Sequence, residues 1–158
     1  MEVNYKPGRK NLIVSNIGIE RMVEKFIGRD DTGSRPFLCD GSPIGCQVFL
    51  IGINPAVSTY WWEFWNLENG FDRKGWIKKF EEESKDGMKG RKTRLNIEML
   101  RNQILPYRVL DLNLYHKRSD NLTMLQKAYK KKDVCDCLIK NIVPKLIFLH
   151  EYPTINNC

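Results

Sequence analysis

Val48-Phe-Leu-Ile-Gly-Ile-Asn-Pro55 decides the architecture of this chain. The first four residues form a short, uninterrupted apolar run closed by glycine, the pattern of a central strand buried on both faces. Gly52-Ile53-Asn54-Pro55 then breaks the strand, because proline cannot donate to a sheet ladder and glycine lets backbone approach closely. A loop is therefore expected at the carboxyl end of a core strand.

Upstream, Ile19, Met22, Val23, Phe26 and Ile27 recur at helical spacing, and Gly28 with the polar run to Arg35 supplies the stop. Arg35 to Cys46 reads as a turn-rich approach to the strand. Downstream, Trp76, Ile77 and Phe80 predict a helix, followed by a basic connecting stretch over Gly87 to Arg94 and a second helix over Thr93 to Leu105. Arg108 to Tyr115 alternates apolar and polar positions and predicts a second strand. Asp133 is placed to cap a helix running to Ile142, which Pro144 ends before Leu146-Ile-Phe-Leu149, expected as a third buried strand. Phe49 and Phe148 are expected in the core. Strands separated by helices need crossover connections, which makes the class α/β, with a mostly parallel sheet and helices on both faces. Ligands of such sheets bind outside the carboxyl ends of the strands, so the loops starting at Gly52, Asn113 and His150 should converge.

A length of 158 residues holds one domain, taken here as 1–158. With 42% hydrophobic and 28% charged residues the chain is neither disordered nor a disulfide miniprotein. No apolar run approaches the roughly 18 residues needed to span a bilayer, and the first ten residues are polar, so a cytoplasmic protein without a membrane partner is expected. Five scattered cysteines without a C-x-x-C spacing, and only two histidines, predict reduced thiols and no metal site. A net charge of +7 is compatible with a polyanionic partner.

Several motifs together carry a resemblance. Arg35-Pro-Phe-Leu-Cys-Asp-Gly-Ser-Pro43, Gly52-Ile-Asn-Pro-Ala56, the aromatic run around Trp61, Trp62 and Trp65, Gly70-Phe71-Asp72, Thr93-Arg94 and Leu112-Asn113-Leu-Tyr115 are similar to an uncharacterised bacterial set within the uracil-DNA glycosylase superfamily. The first loop resembles the Gly-x-Asn-Pro motif of its mismatch-specific branch, with Ala56 where that branch has glycine. The likeness spans residues 35 to 150 and implies a three-layer α/β/α fold with a central, mostly parallel sheet. It also implies hydrolysis of the N-glycosidic bond of uracil or a related damaged base in DNA, single-stranded or in a mismatched duplex, without a cofactor.

By that resemblance Asn54 positions the attacking water and Asn113 reads the edge of the flipped base, a task that suits an amide carrying both donor and acceptor. Gly52, Ile53 and Pro55 would line the base. Tyr60 to Trp65 places five aromatics in six positions just past the strand, and Trp61 or Trp62 is the candidate to stack on the base, the rest being core. His150 and His116 both fall at strand ends, where an imidazole can stabilise charge on the departing base; His150 is preferred because a histidine ends the corresponding strand in the resembling proteins. Arg91, Lys92 and Arg94, and the run Lys127 to Lys132, are the candidates for phosphate contact, with Arg94 preferred as either a phosphate or a structural anchor. Asp111, two residues earlier on the same face as Asn113, is the lower-ranked alternative for the polar group of the site, since the resemblance gives it no distinct role.

After His150 the sequence departs from the superfamily, which continues with a further strand and a second DNA-clamping motif. A chain without them is expected to lack a last strand and several kcal/mol of transition-state stabilisation, at about 1.4 kcal/mol per tenfold in rate. Two alternatives follow: a non-catalytic nucleic-acid or nucleotide binding module, or a small-molecule enzyme, on the same scaffold.

Overall fold

A computed structural model of the protein describes residues 15–55, 60–84, 91–119 and 130–150. Helix α1 covers Asn16–Phe26; Ser15 precedes it and its hydroxyl accepts from the Gly18 N–H, while Ile19, Met22 and Val23 form the buried stripe. Strand β1 is Phe37–Leu38, and a 3-10 turn over Pro43–Gly45 leads into β2, Val48–Gly52. The aromatic run makes a second 3-10 turn, Trp61–Phe64, and then a short hairpin of β3, Trp65–Asn66, with β4, Gly70–Phe71. Helix α2 spans Arg73–Glu83, capped by the Asp72 carboxylate on Gly75 N, and α3 spans Arg91–Gln103. Strand β5 is Val109–Asn113, α4 is Asp133–Ile142 and β6 is Leu146–Leu149.

The main sheet has the order β1-β5-β2-β6. The three strands expected from sequence, β5, β2 and β6, are parallel neighbours. The chain is thus α/β, but its sheet is mixed, because β1 runs antiparallel to β5 with Phe37 opposite Leu112 and Leu38 opposite Asp111. The segment read as a turn-rich approach therefore contains an edge strand. Only two residues of it pair, too short a run for strand periodicity to register.

Alternation along β2 divides the interior. Phe49 and Ile51 pack with Ile19, Val23, Val134 and Leu138 of α1 and α4, while Val48 and Leu50 pack with Val109 and with Ile97 of α3. On α4, Val134 and Leu138 of the face expected from spacing are buried together with Cys135, whereas Cys137 and Ile142 of that face are half-buried. Asp133 is not the cap: it is the first helical residue, where its charge meets the positive end of the helix, and the capping position is Lys132, which makes no side-chain cap bond. The expected basic connection over Gly87 to Arg94 lies outside the described residues up to 90, and Arg91 to Arg94 are the first turn of α3.

Strand β6 corrects the sequence reading most plainly. It is an edge strand rather than a buried one, with Leu146 48%, Ile147 40%, Phe148 39% and Leu149 62% exposed. An apolar run marks the strand, but burial needs neighbours on both sides, and among the described residues β6 pairs only with β2. Phe148 is accordingly no core residue. This yields a contrast to measure by urea denaturation. Leu138→Ala, at a fully buried position, should lower stability by about 2–5 kcal/mol, whereas Leu149→Ala should change it by less than about 1 kcal/mol. Among the described residues no helix is long and apolar enough to cross a membrane.

Candidate functional site

Because β5, β2 and β6 are parallel, their carboxyl ends meet at one edge of the sheet. Gly52 is in register with Asn113, and His150 N donates to Ile51 O at 3.0 Å, continuing the ladder one residue past β6. Asn113, Gly52 and His150 therefore form a row across three strands, on the face that carries Val48, Leu50 and α3. The glycine is what makes the row possible. A Cβ at Gly52 would lie 2.8 Å from Asn113 Oδ1 and 2.8 Å from His150 Cε1, so both side chains lean over the space it leaves.

The row is rich in unsatisfied polar groups. Asn113 is 3% exposed, and its Nδ2 has no hydrogen-bond partner among the described residues; the same holds for both ring nitrogens of His150 and for Asp111 Oδ1. A buried polar group left unpaired costs about 1–3 kcal/mol, so a ligand that satisfies several at once gains correspondingly. Beside the row, a cavity of about 360 Å³ between α3 and β6 is walled by Leu50, Ile97, Leu100 and Phe148 and ends at His150. An apolar wall with convergent polar groups at one end is the usual composition of a small-ligand site.

Asp111 lies under this row, held by an ion pair that the sequence reading did not foresee. Its carboxylate Oδ2 accepts from Arg94 Nη1 at 2.5 Å, with both side chains almost fully buried. Burial opposes its charge, but the Arg94 and Arg35 guanidinium groups and the hydrogen bond from Arg94 hold its carboxyl below the usual carboxylate range. Both guanidinium groups also sit over the Trp76 ring, at 5.3 Å for Arg94 and 5.6 Å for Arg35. The signal was present in the sequence: a charged residue at the centre of an apolar strand needs a buried counter-charge.

Of the two roles weighed for Arg94, phosphate contact and structural anchor, the buried pair with Asp111 matches the second, its guanidinium being spent inside the fold. Arg91 turns back to α2, donating to Ser84 O at 3.2 Å, and Lys92 is exposed on α3. Lys130 to Lys132 are exposed; the rest of that run lies outside the described residues.

The aromatic candidates are corrected. Trp61 is 2% exposed, its indole N–H donates to Phe37 O at 2.8 Å, and its ring stacks on Trp65 and Phe71 at 5.2 and 5.5 Å. Trp62 donates to Gly28 O at 3.0 Å, beyond the end of α1, and lies beneath the Arg29 guanidinium at 4.4 Å. Both rings are core, because the 3-10 turn directs them onto β1 and α1 rather than toward the strand ends.

Asn54 is half-buried and donates through Nδ2 to Ser119 O at 3.0 Å, which orients its amide. Ile53 O and Pro55 O accept from Tyr115 and Ser119 N–H groups, so this loop continues the pairing of β2 with the chain leaving β5. That outgoing segment is itself fastened. Ser34 Oγ donates to Asp31 at 2.9 Å and lies 3.1 Å from His116 Nδ1, while Lys117 pairs with Asp31 at 3.1 Å. His116 belongs to this brace, where burial lowers its pKa, and not to the niche. Among the described residues no cluster of His, Cys, Asp and Glu could hold a metal ion. Comparison with protein-family models, with curated proteins and with solved structures finds no match for this chain.

Proposed function

We propose that this chain is a DNA glycosylase of the uracil-DNA glycosylase kind, with a three-layer α/β/α fold, hydrolysing the N-glycosidic bond of uracil or a related damaged base. The observation that carries the reading is the Asn113–Gly52–His150 row, where an unpartnered amide and an unpartnered imidazole flank a gap at the carboxyl edge of a parallel sheet. In this reading Asn113 Nδ2 donates to a carbonyl of the flipped base and His150 donates to the oxygen that gains charge as the bond breaks. Asn54 presents Oδ1 to the attacking water, its Nδ2 being committed to Ser119 O. The exposed lysines and the +7 charge supply phosphate contacts.

A second reading has support from the corrected residues. With both stacking candidates, Trp61 and Trp62, in the core and Arg94 paired to Asp111, the site keeps the polar niche but lacks the expected ring to hold a flipped base, which leaves binding of a nucleotide or single strand without cutting as the alternative. Base release from uracil-containing oligonucleotides, single-stranded and in U·G pairs, separates the two. Release that drops about a hundredfold in both Asn113→Ala and Asn54→Ala supports the glycosylase, that being the scale for loss of one transition-state donor. No release from a folded wild-type chain that still binds DNA in a salt-dependent way establishes the binding module. Release unchanged in Asn113→Ala removes the niche from consideration.

A further inference from the structure

Strand β6 bounds one side of the main sheet, and among the described residues no strand pairs with its outer edge. The ladder to β2 fixes which groups that edge presents. Leu146 N donates to Gln47 O and His150 N donates to Ile51 O, and alternate residues of a strand turn their N–H and C=O groups to opposite sides. Phe148 therefore bonds inward with Leu146 and His150, while Ile147 and Leu149 turn their backbone groups to the open side, where they form a template for another strand.

The edge is also unguarded. Edge strands are ordinarily protected by lysine, proline or a bulge, whereas Leu146–Leu149 contains no charge and no proline. Six of the eleven large apolar residues exposed among the described residues gather here. They are the four of β6 with Leu105 and Tyr107, which join Leu146 and Phe148 around a cavity of about 500 Å³ beside Val48. About half-exposed on average, six large side chains at roughly 200 Å² each present about 600 Å². A homodimer interface is about 65% apolar, so this patch fits a contact of about 900 Å² per copy. A stable complex needs about 800 Å² per partner.

We propose that two copies of this chain associate through β6, edge to edge and antiparallel, so that the two main sheets become one. A two-fold axis through Phe148 sets Ile147 of each copy opposite Leu149 of the other. These are the residues whose N–H and C=O groups point outward, and each such pair exchanges both hydrogen bonds. Phe148 meets Phe148 across the axis, so the apolar strand complements itself, as an isologous interface requires. The two Lys145 residues stand at opposite ends of the pair, about 20 Å apart at about 3.3 Å per residue, and like charges do not meet. His150 of each copy lies opposite Leu146 of the other on the α3 face, so the second copy closes the β6 side of the 360 Å³ cavity. The association stands independently of the glycosylase reading. Below its dissociation constant each protomer keeps an exposed edge, and the contrast between Leu138→Ala and Leu149→Ala applies there.

The test measures the mass of the full wild-type chain by light scattering at about 100 μM, a concentration that populates even a micromolar complex, and follows amide hydrogen exchange in the same sample. The expected result is twice the chain mass, with the Ile147 and Leu149 amides protected as well as that of Phe148. Ile147→Lys should weaken association at least about a hundredfold, since it places like charges on both sides of the axis. Phe148→Cys should cross-link to its own copy on mild oxidation, its Cα atoms being about 4.5 Å apart across a pair of this kind. Leu146→Cys, about 13 Å from its mate at about 3.3 Å per residue, should not. A monomeric mass overturns the proposal, whether or not the two amides are protected, and so does a dimer in which they exchange freely. Both of these readouts use the wild-type chain and need no variant to fold.

Discussion

Arg94→Met should lower the free energy of unfolding by about 3–5 kcal/mol, the range for a buried ion pair stripped of one partner. The reason is the environment of Asp111, 2% exposed, with Oδ2 bonded to Arg94 and Oδ1 already without a partner among the described residues. Without Arg94 that carboxylate keeps Arg35 as a nearby positive charge but loses its hydrogen bond. The double variant Arg94→Met with Asp111→Leu should recover much of the loss, since removing both charges leaves no uncompensated ion in the core. The pH dependence has a definite sign. The carboxyl is held below its ordinary value in the folded state, so its contribution is complete above the unfolded pKa and is lost as pH falls through the folded one. Urea denaturation at about pH 7 and about pH 3 should therefore show a smaller drop in Arg94→Met than in the wild type. A single variant within about 1 kcal/mol of wild type, or a double variant less stable than the single, would show that the pair does not carry this part of the fold.

Trp61→Ala should cost about 3–5 kcal/mol, as for a large aromatic removed from a packed interior. Its ring stacks on Trp65 and Phe71 and meets Phe37 edge-on at 5.1 Å, and its N–H satisfies Phe37 O, so the truncation opens a cavity and orphans a carbonyl of β1. A base-stacking residue behaves oppositely: its loss leaves the denaturation midpoint in place and weakens nucleic-acid binding by about 1–3 kcal/mol. Measuring both quantities on this one variant decides between core and pocket wall. Unchanged stability with weakened DNA binding would return Trp61 to the site.

The contrast between these residues and the well-read ones has a physical origin. α1, α2, α3, β2, β5 and α4 were legible because each is long enough for its apolar period to repeat and is punctuated by Gly, Pro or a capping residue. β1 was not, having two paired residues. The loops at Gly52, Asn113 and His150 were placed correctly at strand ends, since a parallel sheet leaves little freedom there. Asn113 and His150 do face each other across Gly52, and the Asn54 amide is oriented by Ser119 O, a bond spanning 65 residues that no local pattern announces.

Composition, period and punctuation by themselves determined the α/β class, the order of the elements and the residues at which the core strands end, because these are set by residues near one another in sequence. Tertiary structure alone decided which polar and aromatic groups remain available. Arg94 and Trp61 look like ligand-binding residues in sequence and are core residues in space, because a buried carboxylate and a backbone carbonyl claimed them. Leu146-Ile-Phe-Leu149 looks like a core strand and is an exposed edge, because hydrophobicity records what a segment gains by burial, and only packing determines whether a neighbour is there to bury it.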